Sequence, residues 1–320
     1  MTNHYIVTGA LGCIGAWVTK LLVDRGDVPV VFDLPGDPRR LRELLGERLD
    51  EIVFVDGDIT DFAALENTVR THGARRIVHL AGLQVPFCKA DPARGALVNV
   101  LGTIHVLEVA KRLQLDGVVY ASSAAVYGPP EDDLAAAPDE ASVLEPSTHY
   151  GVFKRANEGN ARIYWTDDRV RSVGLRPLTV YGVGRDQGLT SGPTTAMREL
   201  VRGNPSTISF SGATDFLYVA DCAAAFLACV DACPDGAPVY NLSGHSVTVE
   251  KFVDIVGATA REMGIDTADR ITIDGPALPI PGAIDGSAFA SAYPNAPKTT
   301  LEDGIRETLE RFVELERARD

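Results

Sequence analysis

Tyr150-Gly151-Val152-Phe153-Lys154 opens a stretch of helical character, which sets a phenol and an ammonium one turn apart on one face. A free tyrosine titrates near 10, so acting as a base near pH 7 requires lowering that value by about 3, or about 4 kcal/mol. An ammonium at about 4 Å, in an effective dielectric of about 20, supplies roughly that amount. Lys154 is therefore sufficient to make Tyr150 a proton acceptor for an alcohol. Upstream, Tyr120-Ala121-Ser122-Ser123-Ala124-Ala125-Val126-Tyr127-Gly128 ends a predicted strand, where the Ser123 hydroxyl can hold the reacting oxygen. A tyrosine and a lysine at helical spacing are, by themselves, often only a solvent-facing pair.

What precedes them raises their weight. Thr8-Gly9-Ala10-Leu11-Gly12-Cys13-Ile14-Gly15 follows the β-rich run His4 to Thr8 and leads into an apolar helical pattern ending at Val23. In this G-x-x-G-x-x-G spacing Gly9 permits a tight turn, Gly12 lets the backbone approach a pyrophosphate, and Gly15 allows close helix–strand packing. Phosphates then sit on the helix N-terminus, with Cys13 and Ile14 beside them. Eighteen residues past Gly15, Asp33 ends the next predicted strand. A carboxylate there accepts from both ribose hydroxyls and repels a 2'-phosphate, which favours NAD over NADP. The alternative for Asp33 is an ordinary turn former before Pro35-Gly36. Arg39 and Arg40 keep NADP open as the lesser option.

These groups need a frame. Strand signals at 28–33, 52–55, 76–80 and 117–121 alternate with helical patterns, the arrangement of a parallel sheet covered on both faces. Right-handed crossovers make it doubly wound. The expected fold is α/β, a Rossmann-type doubly wound parallel sheet with a smaller C-terminal substrate-binding lobe. Residues 1–178 would form the nucleotide-binding domain, with main-sheet segments returning near 215–260. Residues 179–320 would be largely the substrate lobe and a closing helix from Thr299 to Arg317.

The 320 residues carry a net charge of −14 with a pI near 4.9, and no cluster of Lys and Arg suits a phosphate backbone, so no nucleic-acid partner is expected. No leader pattern opens the chain and no stretch reads as a bilayer span, so a cytoplasmic location without a membrane partner is expected. Five cysteines without a C-x-x-C pair fit a reducing compartment. Cys222, Cys229 and Cys233 read as one buried stripe, and no ligand set for a metal accompanies them.

In order, Thr8 to Gly15, Asp56-Gly57-Asp58-Ile59, His79-Leu80-Ala81-Gly82, Ser122 to Gly128, Tyr150 to Lys154, and Arg176-Pro177 to Tyr181-Gly182 run along the chain. This series resembles the NAD-dependent epimerase/dehydratase family, the extended branch of the short-chain dehydrogenases, over essentially the whole sequence. The resemblance implies that Asp58 and Ile59 flank an adenine, that Leu80, Ala81 and Gly82 line the cofactor cleft, and that Asn99 supports the site. It makes Ser123 the catalytic hydroxyl and brings Ser122 and Lys154 onto the nicotinamide ribose. Asp58 could instead cap the helix starting near Asp61. Dimerisation through helices such as 91–113 and 149–164 follows from the same likeness, giving an expected homodimer.

The chain also departs from that family. Members acting on nucleotide sugars usually carry Arg-Asp-Phe where this sequence has Thr214-Asp215-Phe216. The Asn usual after Arg-Pro is replaced by Thr179, and Leu278 to Ser291 holds no Arg. A diphosphate wants bidentate arginines. What remains near the substrate is Gln84, Ser123, Thr179, Thr190 and Arg185, the last either an anion clamp or half of a surface ion pair with Asp186. The leading expectation is an NAD-dependent oxidoreductase taking hydride from a small non-nucleotide sugar, sugar acid or related hydroxy compound. An NAD-dependent sugar or nucleotide-sugar epimerase is the alternative, and a non-catalytic NAD-binding sensor the third.

Overall fold

The computed structural model describes residues 3–129, 137–267 and 270–318. Twelve strands are present among them: β1 (His4–Thr8), β2 (Val28–Asp33), β3 (Val53–Asp56), β4 (Arg76–His79), β5 (Gly117–Ala121), β6 (Ser172–Pro177), β7 (Thr179–Tyr181), β8 (Ser206–Ile208), β9 (Ala213–Tyr218), β10 (Val239–Leu242), β11 (His245–Thr248) and β12 (Ile271–Ile273). Seven of them form one parallel sheet in the order β10-β6-β5-β4-β1-β2-β3. From β1 the chain winds outward through β2 and β3, then crosses to β4 on the other side, so the strand order reverses between β1 and β4. Ligands of such sheets bind in the crevice at the carboxyl ends beside that reversal.

Strand residues are apolar almost throughout because each face meets its own core. Tyr5, Val7, Val31, Val78 and Val119 join the core under helices Cys13–Asp24 and Val219–Asp231. Ile6, Val30, Phe32, Ile77, Val118 and Tyr120 point the opposite way, toward helices Phe62–His72 and Gly102–Leu113.

Two sequence expectations change here. Of the stretch 215–260, β10 does join the main sheet, beside β6, but β9 does not; it pairs with β7 in parallel and β11 antiparallel in a separate three-stranded sheet. The switch occurs at Pro177, which has no N–H for a further ladder, so the strand ends there and resumes as β7. A helical run long and apolar enough to cross a membrane, by length and composition, also exists: Pro92–Leu113, 22 residues containing an 18-residue window of mean hydropathy 1.2. The charges at Arg94, Lys111 and Arg112 hide it from a search for an unbroken apolar stretch. Its apolar face is committed to the core, where Val106, Leu107 and Val109 are fully buried.

The expected cysteine stripe contains Cys222 and Cys229, both fully buried on helix Val219–Asp231, whereas Cys233 lies past its end. The closing helix runs Leu301–Arg317, and Thr300, not Thr299, caps it by accepting from Asp303 N.

Candidate active site

A cleft of about 1070 Å³ opens at the carboxyl ends of β1, β2, β4 and β5. Gly9, Gly12, Cys13, Ile14, Gly15, Asp33, Asp58, Ile59, Leu80, Ala81, Gly82, Gln84, Ser122, Ser123, Tyr150, Lys154, Arg185 and Thr190 all line it. Of the residues expected at the site, Asn99 lies just behind its wall, and Thr179 faces away.

The glycine turn is shaped as its spacing predicts. Gly9 has φ +71°, and a Cβ there would stand 2.5 Å from Ala81 N. A Cβ on Gly15 would stand 2.3 Å from Gly9 O, so the helix Cys13–Asp24 can start this close only with glycine. That helix has no side-chain cap, leaving its first N–H groups to a ligand. Asp33 is held by Leu11 N at 2.8 Å and Leu34 N at 2.8 Å. Burial nevertheless moves its carboxyl above the ordinary value, and those two N–H groups offset this only in part. Asp58 does not cap the following helix: Asp61 accepts from Ala64 N, while Asp58 turns onto Thr60 N and Oγ1. These features suit a dinucleotide.

Beneath the glycine turn runs a relay of buried hydrogen bonds. Thr8 Oγ1 accepts from Leu80 N and Ala81 N and reaches His79 Nδ1 at 2.7 Å. His79 Nε2 meets Thr103 Oγ1 at 3.1 Å, and Thr103 donates onward to Asn99 O. That last donation leaves Thr103 to accept, so the proton sits on His79 Nε2 and Thr8 donates to Nδ1. Burial, with help from the Lys154 charge, pushes the His79 pKa down to about 3, and the ring is a neutral spacer. Asn99 occupies a widened π-type turn, Leu97–Leu101, and donates from Nδ2 to Leu83 O and Gly95 O. Its Oδ1 has no partner and points at Gly82, where a Cβ would lie only 2.7 Å away.

Thr148 caps the helix His149–Asp168 by accepting from Gly151 N, and this fixes Tyr150 and Lys154 on the first turns. Lys154 is 6% exposed, and its ammonium donates to Ala121 O at 2.6 Å and stands 5.4 Å from the Tyr150 ring centre. Burial lowers its pKa to about 8. The tyrosine differs from expectation. Burial raises the phenol above its usual value, and the groups pulling it back are the Ser123 hydroxyl and the Arg185 charge, not Lys154. Arg185 is 35 positions away in sequence, on the loop after β7, so no local spacing could have announced it.

Adjacent serines part company. Ser123 faces the cleft, with Oγ accepting from Ala125 N at 3.2 Å. Ser122 sends its hydroxyl inward to Glu158 Oε1 while the residue still lines the cleft. Glu158 in turn clasps Arg176 through Nε at 2.8 Å and Nη2 at 2.7 Å, and Arg176 Nη1 donates to Tyr127 Oη at 2.6 Å. Tyr127 Oη reaches Asn241 Oδ1 at 2.8 Å, and Asn241 Nδ2 donates to Pro138 O and Asp285 O. Tyr127 and Arg176 fall within the motif series, but nothing in their spacing links them through Glu158, which lies one turn past Lys154.

On the substrate side, Arg185 Nη2 donates to Thr190 Oγ1 at 2.9 Å, while Arg185 Nε is buried without a partner. The surface pair with Asp186 does not form, because Asp186 binds Arg39 and Arg40 instead. Gln84 closes against Gly188, where a Cβ would meet its Oε1. Thr179, expected at the substrate, is fully buried and shares a 2.7 Å hydrogen bond with Thr214. Position 214 thus faces the interior and offers a ligand nothing.

Comparison with known proteins agrees with this geometry. The family described as "NAD dependent epimerase/dehydratase family" matches residues 5–243. The UDP-glucose 4-epimerase of Pongo abelii is 29% identical over 283 residues, covering 77% of this chain and 80% of its own. UDP-glucose 4-epimerase from Brucella ovis, in complex with NAD, superposes with a TM-score of 0.80 at 23% identity, covering 98% of this chain and 99% of its own. L-threonine dehydrogenase from Clostridium difficile superposes at 0.81 with 19% identity, covering 98% of each chain. The chain belongs to the NAD-dependent epimerase/dehydratase family of enzymes.

Proposed function

We propose that this family member is an NAD-dependent oxidoreductase acting on a hydroxyl of a small, non-nucleotide sugar acid or related hydroxy compound. The observation that carries it is Arg185: a guanidinium facing the cleft, electrostatically coupled to Tyr150, with a buried Nε left without a partner. Such a group is costly unless a ligand anion completes it. A carboxylate near the reacting carbon does so.

When bound, the oxidised nicotinamide accepts the hydride. Tyr150 takes the alcohol proton, and Ser123 holds the oxygen from which it leaves. Lys154 keeps its charge below about pH 8 and anchors the tyrosine turn to Ala121 O. Asp33, the glycine turn, Asp58, Ile59, Leu80 to Gly82 and Lys154 are the groups that would hold NAD. Ser122 contributes backbone alone.

The smaller lobe brings a single cation, Arg185, to the described cleft lining, and its later part adds only Pro279 and Ile280. That supports a substrate without a diphosphate. The relatives named as UDP-glucose 4-epimerases favour a second reading, in which the hydride returns to the opposite face of a transient ketone. Pairing of two copies is supported by Val152 and Ile163, 48% and 53% exposed and eleven residues apart on one helix face.

Purified protein with NAD, offered glycerate, erythronate and gluconate beside glycerol, erythritol and glucitol, should form NADH from an acid and not from its matched polyol. Retained NAD, no NADH release and conversion of UDP-glucose to its 4-epimer would replace this reading with the epimerase.

A further inference from the structure

Arg39 and Arg40 follow the Asp33 turn closely enough to serve a 2'-phosphate, yet neither is free. Arg39 Nη2 and Arg40 Nη2 both bind the Asp186 carboxylate, and Arg40 Nε adds a bond to Asp186 Oδ1 at 3.1 Å. Arg40 also donates to Gly184 O at 2.9 Å and, through Nη1, to Leu11 O at 2.7 Å. Leu11 is the residue whose N–H holds Asp33. One residue, Leu11, therefore bridges the candidate ribose acceptor and Arg40, and both line the same cleft.

The carboxylate that engages these arginines comes from 146 positions away, on the loop that also carries Arg185. Side-chain exposures of 36% for Arg39, 16% for Arg40 and 24% for Asp186 place the cluster where charge is only partly screened. Arg40 spends Nε and Nη2 on Asp186 and Nη1 on Leu11 O, and Arg39 divides its two Nη groups between Asp186 and Glu43, so neither presents a free fork to a phosphate.

We propose that Asp186 is a cofactor-specificity residue: from the substrate side of the cleft it withholds Arg39 and Arg40 from a 2'-phosphate, reinforcing the repulsion by Asp33. The same contacts strap the loop 182–191 to the glycine turn through Arg40. Selection of NAD over NADP thus has two parts, one beside the ribose and one reaching over from the other lobe. The proposal rests on the cleft holding a dinucleotide.

The test measures dissociation constants for NAD and NADP by fluorescence titration without substrate, in Asp33→Asn and in Asp33→Asn/Asp186→Ala. Removing the Asp33 charge first exposes the contribution of Asp186. The double variant should raise the NADP preference, as the ratio of the two affinities, about tenfold or more, and adding Arg39→Ala and Arg40→Ala should reverse the gain. A rise below about threefold, or one that survives loss of both arginines, overturns the proposal. Asp186→Asn, which keeps the shape and loses the charge, carries the same comparison if the alanine variant does not fold. Failure of the unmodified chain to bind either dinucleotide would instead undo the cofactor reading itself.

Discussion

Ser122 and Ser123 share a peptide bond and belong to opposite kinds of polar interior. Ser122 feeds a network in which Glu158 and Arg176 are saturated: both carboxylate oxygens and all three guanidinium nitrogens have partners. Burial works against the Arg176 charge, and the hydrogen bonds and charge of Glu158 outweigh it, so the guanidinium is held more firmly protonated than usual. Ser123 opens onto groups that are left wanting: Lys154 with one carbonyl, Asn99 Oδ1 and Arg185 Nε with nothing, and Tyr150 with its phenol raised by burial. Lys154 and Glu158 are one helical turn apart and similarly buried, so burial alone does not separate them. Completeness of pairing does: the network of Glu158 and Arg176 ties strands and helix together, whereas the groups on the cleft side keep polar atoms without partners.

The contrast breaks if stability and turnover respond alike on both sides. The largest effect is expected from Tyr150→Phe, which should lower turnover of the acid found by the screen about 10³- to 10⁴-fold while dinucleotide affinity stays within about threefold. Ser123→Ala should follow at about 10²-fold. Equal turnover in Tyr150→Phe would remove the proton role altogether.

Glu158→Ala should cost about 3–5 kcal/mol in urea unfolding, since it strands a buried arginine; a loss below about 1 kcal/mol would show that the network is not structural.

Lys154→Met sharpens the comparison because the two readouts should move in opposite directions. Turnover should fall at least about 10²-fold, yet the variant should be more stable by about 2 kcal/mol at pH 7, the cost of burying the ammonium less its bond to Ala121 O. The sign follows from linkage. Lysine titrates near 10.4 when unfolded and at about 8 here, so between those values the unfolded chain binds more protons and the stability of the unmodified protein rises with pH. The advantage of the methionine variant should therefore shrink from pH 8 to pH 10, as followed by thermal unfolding. A gap that widens would reverse the argument. The smallest change is expected for Ser122→Ala: about 1 kcal/mol of stability, with turnover unchanged within about twofold.

Much of the cofactor side was legible from spacing. Gly9, Gly12 and Gly15 act within one turn, Asp33 ends the next strand, and Tyr150 and Lys154 share a helix face, so local rules suffice for each. The substrate side was less so. Thr179 reads as a cleft residue until β7 pairs with β9 and carries its side chain to Thr214. Arg185 reads equally as an anion clamp or as half of a surface pair with Asp186 until Asp186 is found on Arg39 and Arg40. The widened turn at Asn99 leaves no periodic signal, because one extra residue in a helix shifts the apolar pattern without erasing it.

The sequence by itself determined the doubly wound sheet, the glycine turn and the Ser123, Tyr150 and Lys154 set, because these rest on periodicity, backbone freedom and spacing within a single element or the next. Only the tertiary structure decided which buried charges are paired and which stand open. Pairing depends on side chains as far apart as Glu43 and Arg198, 155 positions from each other. No local pattern records the low-dielectric enclosure that makes an unpaired charge matter.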